Sequence, residues 1–158
     1  MVILGIDPGT ASIGYGVLKV TSPGKIRCLD CGLIKTDPQV SFPKRLEKIS
    51  KDFDLFLKKY QPSLVSIESV FFFKNLKTFI PVSRATGVII LGAAKRKIPI
   101  VEFTPLQVKS KIAEYGRAEK RDVQRKIRKI LNYKGRFEQD DVADALGVAV
   151  CAALSLRP

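Results

Sequence analysis

An α/β fold is what this sequence predicts, with three hairpin-connected strands followed by alternating helices and strands, and three observations carry that expectation. Two short apolar runs, Val2-Ile3-Leu4-Gly5-Ile6 and Leu64-Val65-Ser66-Ile67, have the length of buried strands, and each ends in an acid, Asp7 and Glu68. Pro8-Gly9-Thr10 and Ser22-Pro23-Gly24 are turn sequences set between strand-like segments. Beyond residue 41 the apolar positions change to helical spacing and alternate with further short strands, the pattern of a sheet with helices on both faces.

Residues 2–7 read as the first strand, broken by Pro8-Gly9-Thr10, and residues 13–20 as the second. Residues 25–34 follow the Ser22-Pro23-Gly24 turn as the third strand of an antiparallel meander. A helix comes next. Ser41 suits its N-cap, Pro43 its first turn, and Leu46, Ile49, Phe53, Phe56, Leu57 and Tyr60 recur at helical spacing before Pro62. Residues 63–68 form a buried strand, parallel to the first by connection. Residues 69–78 read as irregular and aromatic, and residues 79–97 as a helix with Pro81 in its first turn. Its small residues, Ala85, Gly87, Gly92, Ala93 and Ala94, allow close helix packing and suggest a homodimer. Residues 98–103 are a fifth strand, 105–113 and 120–131 two helices flanking a Tyr115-Gly116-Arg117 loop, 135–139 a loop, and 140–156 a final helix rich in Ala and Val. There is no repeat and no linker, so residues 1–158 read as one domain.

The 28 Lys and Arg against 15 Asp and Glu give a formal charge of +13. That balance favours polyanions, nucleic acid before an acidic membrane surface. No apolar stretch approaches the roughly 20 residues of a membrane span, and the first residues read as a strand rather than a basic leader; a cytoplasmic protein is expected. Cys28 and Cys31 form a C-x-x-C pair, but with no histidine and Cys151 as the one other thiol a four-ligand zinc site is out of reach, and reduced thiols are the plainer reading. The absence of histidine also removes the Ser-His-Asp triad, the Cys-His pair and any imidazole base.

Against this basic background four acids stand out: Asp7, Glu68, Asp141 and Asp144. The first two end apolar strands, and the second two open an apolar helix, with no Lys or Arg written beside any of them. Ionised carboxylates in such surroundings need a positive partner, and divalent metal is the natural one; in a basic protein this points to phosphodiester chemistry. Each acid alone has a plainer explanation. Asp before Pro-Gly is good turn chemistry, and acids in a first helical turn stabilise the helix dipole by about 0.3–1 kcal/mol. Asp141 and Asp144 share a helix face at i,i+3, but Asp140 and Asp144 do so at i,i+4, and spacing does not choose between them.

Four blocks taken together closely resemble the RuvC-type Holliday junction resolvases: Gly5-Ile6-Asp7-Pro8-Gly9-Thr10 with Gly14-Tyr15-Gly16-Val17; Ile67-Glu68-Ser69-Val70-Phe71 with Lys74-Asn75; Ala118-Glu119-Lys120; and Asp141-Val142-Ala143-Asp144-Ala145-Leu146. The similarity runs from about residue 2 to residue 153. It implies a ribonuclease H-like fold with a five-stranded mixed sheet in order 3-2-1-4-5. It also implies a homodimer that binds four-way DNA junctions and nicks two strands of like polarity, leaving 5′-phosphate and 3′-hydroxyl ends. By the matching motifs the metal ligands would be Asp7, Glu68, Asp141 and Asp144, which favours Asp141 over Asp140. Two Mg²⁺ ions, with Mn²⁺ able to substitute, would activate water and stabilise the leaving oxygen. The resemblance further places Lys109 and Lys120 near the scissile phosphate and Phe71 as a stacking aromatic, and it implies a branch-migration motor as partner.

Two stretches read as the DNA-binding surface. Phe71, Phe72, Phe73, Lys74, Asn75 and Lys77 follow Glu68, and three consecutive Phe cannot all face one core from an extended segment. Their plainer role is a local apolar cluster; their functional one is stacking on bases opened at a junction, at about 1–3 kcal/mol per base. Residues 109–136 hold eleven basic residues against three acids, Lys111, Arg117, Arg121 and Arg125 among them. One-signed charge repels itself and is better explained by phosphates than by solvent. The chain departs from its relatives' usual Gly-Gln-Ala-Arg-Gly at Ser83-Arg84-Ala85-Thr86-Gly87, in the expected dimer helix, and from their usual Gly at Glu114. Asp141 itself is His in some relatives. Competing readings are an ATPase of the sugar kinase and actin type, which also has Asp-x-Gly-Thr after a strand, a junction binder that does not cut, and a nuclease for RNA–DNA hybrid.

Overall fold

The structure, a computed structural model, describes residues 1–22, 25–69, 76–113, 118–135, 137 and 139–156, with the backbone alone for Leu76. Phe71, Phe72, Phe73, Lys74, Asn75, Glu114 and Arg117 therefore lie outside the described residues. The elements follow in the order β1 (Val2–Asp7), β2 (Ser12–Ser22), β3 (Lys25–Lys35), α1 (Phe42–Tyr60), β4 (Leu64–Glu68), α2 (Leu76–Lys95), β5 (Ile100–Phe103), α3 (Pro105–Ala113), α4 (Lys120–Leu131) and α5 (Asp140–Ser155). They build one five-stranded sheet in the order β3-β2-β1-β4-β5, with β1 antiparallel to β2 and parallel to β4, and β4 parallel to β5. The expected α/β fold, five-stranded mixed sheet and strand order are all present. Among the described residues no helix is long and apolar enough to cross a membrane.

Three local expectations shift. Helix α2 starts at Leu76 rather than at residue 79, which moves Pro81 from the first turn into the second. Proline there forgoes one intrahelical bond, to the Lys77 carbonyl, and the helix runs on through it. At its other end Lys97 takes a left-handed conformation, φ 56°, and Ile98 N–H bonds back to the Ala93 carbonyl at 3.1 Å. That closing turn uses Ile98, so β5 begins at Ile100 instead of residue 98. Ser41 occupies the N-cap of α1 as expected, but its hydroxyl makes no capping bond; Thr86, in the stretch that departs from the relatives, bonds its own helix at Val82 O, 2.9 Å.

Strand alternation sorts the side chains onto two faces. Leu4 and Ile6 of β1, with Ile13, Val17, Val65 and Ile67, meet Ile49, Phe53 and Leu57 of α1 and Ile89 of α2. Ile3 and Leu18 point the other way, to the core made by α3, α4 and α5. On that second face β1 and β2 offer glycine. A Cβ on Gly5 would stand 2.1 Å from the Ala145 carbonyl oxygen, and one on Gly14 would stand 2.0 Å from that of Asp141. Gly16, paired across the sheet with Gly5, leaves room for Leu146. The backbone of α5 therefore rests on the sheet itself, and the buried Ser66 of β4 donates to Val148 O at 2.8 Å.

Candidate active site

The two strand-end acids are brought together by register. Ile6 pairs with Ile67 in the parallel β1–β4 ladder, so Asp7 and Glu68 follow side by side at the strands' C-terminal ends. Gly14 sits opposite Asp7 on β2, and the start of α5 presses onto Gly14. This contact carries the start of α5, with Asp141 in its first turn and Asp144 in the next, over the strand ends. The three acids Asp7, Glu68 and Asp144 each present an oxygen within 4.8 Å of the others. All three are partly buried.

Asp141, expected as a fourth ligand, is not among the acids whose oxygens close on one another; it lies on the β2 side of them. Its Oδ2 accepts a 2.6 Å hydrogen bond from Ser12 Oγ. Asp140 turns away from the strand ends and faces α4, where its oxygens meet Lys120 Nζ at 3.3 Å and Gln124 Nε2 at 3.1 Å. Lys120 Nζ also lies 3.0 Å from Asp144 Oδ2. A hollow of about 250 Å³ opens beside the acids, with Glu68, Asp144, Lys109 and Lys120 supplying its polar lining and Pro105, Val108 and Val123 its apolar wall.

Electrostatics shows how much negative charge is crowded here. Burial, and then the charges of Glu68, Asp144 and Asp141, push Asp7 up to about 9, so it keeps its proton near neutral pH and donates a hydrogen bond to Glu68. Burial also raises Glu68, as does the charge of Asp144, against the opposing bond from Asp7 and the charge of Lys120. Asp144 is raised by burial despite the Lys120 ammonium beside it. For Lys120, burial works downward, but its bonds to Asp144 and Asp140 outweigh that and raise it. One ammonium does not neutralise the cluster. A proton held on a carboxylate marks where a cation would go, and an all-oxygen donor set of this density fits a hard divalent cation.

Of the other residues singled out from the sequence, Lys109 faces the acids across the hollow, whereas Lys111 points to a separate one with Phe103, Leu106, Gln107 and Ser110. Arg121 and Arg125 are exposed on α4, where Arg125 pairs with Asp122 at 2.6 Å; Lys77 is exposed on α2. The thiols of Cys28 and Cys31 lie away from the acids, Cys28 Sγ donating to Asp30 O at 3.5 Å and Cys31 Sγ to Tyr133 Oη at 3.9 Å. They reach the same side of β3 because a bulge at Leu29, between Cys28 paired with Leu18 and Asp30 paired with Val17, resets the alternation. Sequence reasoning missed Ser12, Gln124 and the purpose of the glycines. The glycines had a signal, since Gly14 and Gly16 alternate on one strand and Gly5 faces Gly16 on the next. Ser12 had none, for its partner lies 129 residues away.

The family model for crossover junction endodeoxyribonuclease RuvC matches residues 3–152. The chain belongs to the RuvC family. Its RuvC relatives include those of Alkaliphilus metalliredigens, 48% identical over 155 residues with 98% of this chain and 94% of that protein covered, and of Thermosipho melanesiensis, 46% identical over 157 residues with 99% of each covered. Among solved structures, Thermus thermophilus RuvC in complex with a Holliday junction substrate superposes with a TM-score of 0.93 at 32% identity, over 98% of this chain and 94% of that one. The yeast mitochondrial Holliday junction resolvase shares the fold, with a TM-score of 0.67 at 17% identity over 97% of this chain and 81% of the other. The sheet and its helices are thus the ribonuclease H-like arrangement of the RuvC family.

Proposed function

We propose that this protein is a structure-specific endonuclease that resolves four-way DNA junctions by symmetrical nicking of two strands of like polarity, in recombination and repair. The observation that carries the reading is the cluster of Asp7, Glu68 and Asp144 at the strand ends of a RuvC-family chain, with Asp141 alongside. The charge of +13 suits a DNA substrate.

In this reading Asp7, Glu68, Asp141 and Asp144 would hold two Mg²⁺ ions, for which Mn²⁺ would substitute. Bound there, divalent metal supplies an activated water and neutralises charge at the phosphate and the leaving 3′ oxygen. The protein's own groups do the rest. Asp7, between the other acids, holds a proton in the metal-free protein and would have to release it to serve as a ligand. Lys109 and Lys120, from the walls of the hollow, reach for the non-bridging phosphate oxygens and hold the scissile group in line with the attacking water. The carbon wall of Val108 and Val123 limits bulk water on that side. Phe71, with Phe72, Phe73, Lys74, Asn75 and Lys77, forms the junction-engaging surface, and Lys111, Arg117, Arg121 and Arg125 meet backbone phosphates. Two copies of the chain, as a homodimer, supply the two nicks; a branch-migration motor is the further partner, and the setting is the cytoplasm.

The test is a mobile four-way junction with Mg²⁺, wild type beside Asp7→Asn, with linear duplex and RNA–DNA hybrid as controls. Paired nicks on the junction, lost in the variant while junction binding persists, are expected. Binding without cutting in Mg²⁺ or Mn²⁺ would instead indicate a junction-binding protein, and cutting confined to the hybrid a different substrate. A monomeric mass at micromolar concentration without DNA would count against the dimer.

A further inference from the structure

Asp140 is left without a role by the family pattern, yet it is bound on both carboxylate oxygens. Lys120 and Gln124 stand one turn apart on α4, and Asp140 and Asp144 stand one turn apart on α5. The two pairs face each other and interlock. Gln124 Nε2 donates to Asp140 Oδ1 at 3.1 Å, Asp140 Oδ2 meets Lys120 Nζ at 3.3 Å, and Lys120 Nζ meets Asp144 Oδ2 at 3.0 Å. Both oxygens of Asp140 are used, so its carboxylate is fixed in the plane that points one of them at the ammonium.

The arrangement is poorly explained as a source of stability. Asp140 is 67% exposed and Lys120 is 47% exposed, and ion pairs that open to water contribute little. A lysine ammonium is a point charge on a flexible four-carbon stem, and left to itself it samples many rotamers. Lys120 therefore has two anchors with different obligations. Asp144 belongs to the cluster that a cation would occupy, and a carboxylate turned toward a cation has less to offer an ammonium. Asp140 has no such competing duty. We infer that Asp140, oriented by Gln124, is a positioning residue that keeps Lys120 at the mouth of the hollow when Asp144 is engaged. The inference rests on the proposed role of Lys120 at the scissile phosphate. It accounts for why an acid is tolerated on a surface that must approach DNA, since the acid acts through the lysine and not on the substrate.

The experiment compares Asp140→Ala, Asp140→Glu, Lys120→Ala and the Asp140→Ala/Lys120→Ala double variant in the full chain. Three quantities are read: single-turnover cleavage of a synthetic four-way junction in Mg²⁺, junction affinity in Ca²⁺, and the order parameter of the Lys120 side chain in metal-free protein. Asp140→Ala is expected to slow cleavage about tenfold. Junction affinity should be unchanged or slightly tighter, and the Lys120 order parameter should fall. Asp140→Glu should recover most of the rate. Lys120→Ala should be slower than Asp140→Ala, and the double variant no slower than Lys120→Ala alone, because Asp140 acts only through that lysine. Wild-type cleavage in Asp140→Ala, or losses that multiply in the double variant, would overturn the inference. Wild-type cleavage in Lys120→Ala would remove its premise instead, a result that leaves the acid cluster and the junction substrate standing.

Discussion

On one face of the sheet, α1 and α2 are held off by the side chains of Leu4, Ile6, Ile13, Val17 and Phe53, an ordinary layer of branched and aromatic carbon. On the other, α5 lies on Gly5, Gly14 and Gly16, with carbonyl oxygens where the first two would carry Cβ atoms and the Leu146 side chain where the third would. The first contact is thick, and such layers tolerate repacking. The second is thin, and it fixes the height of α5 over β1 to within the size of a methyl group. The difference teaches where the fold spends its accuracy: the α5 face is the one on which carboxylates from two strands and a helix must converge.

The comparison is broken most completely by removing what the thin face presents. Asp7→Asn should reduce junction cleavage on the order of 10³-fold while junction binding is kept, measured by single-turnover assay and by binding in Ca²⁺. The same variant should raise the melting temperature of the metal-free protein at pH 8, because Asp7 must take up a proton to fold at that pH and an amide need not. A fall in melting temperature would mean that Asp7 is held by favourable contacts and not against its neighbours.

Next comes the spacing itself. Gly14→Ala places a methyl group against the Asp141 carbonyl and should cost about 3 kcal/mol, a fall in Tm of roughly 6–12 °C, with cleavage lost even in the folded fraction. Ile89→Val on the thick face should cost about 1 kcal/mol and leave cleavage intact. Equal effects of the two on cleavage would erase the distinction between the faces.

Titration sharpens it further. Folding raises Asp7 from an ordinary 3.8 to about 9, and raises Glu68 and Asp144 as well. Across that range the folded protein holds protons that the unfolded chain has released, so metal-free stability should fall as pH rises from about 4 toward 9. Divalent metal replaces those protons, so the gain in Tm on adding Ca²⁺ should grow over the same span, as seen in melting curves with and without the ion. A gain independent of pH would place the ion elsewhere. The smallest effects belong to the surface: Arg121→Ala and Lys111→Ala should each lower the slope of log affinity against log salt by about one.

Much of this architecture was legible because it is local. Acids ending the apolar runs at Asp7 and Glu68 mark strand ends, and turn chemistry gave the first hairpins. The i,i+3 spacing of Asp141 and Asp144 was open, but it competed evenly with Asp140, because helical periodicity reports a face and not what the face meets. That choice depends on which strand lies beneath and which helix beside: Ser12 under Asp141, and Lys120 and Gln124 across from Asp140. The early start of α2 at Leu76 and the bulge at Leu29 were hidden for a related reason. Proline costs a helix one bond without forbidding it, and a bulge is decided by the partner strand.

The seating of α5 on the glycines of β1 and β2 also sets a timetable. A ribosome adds roughly 5–20 residues each second, so Asp7 and Glu68 exist for several seconds before Asp141 and Asp144 are made. Throughout that interval the nascent chain lacks two of its four candidate site acids, and the strip of Gly5, Gly14 and Gly16 has no α5 to lie on it. In the proposed reading the chain is born unable to cut, and the docking of α5, translated more than a hundred residues after β1, is what arms it.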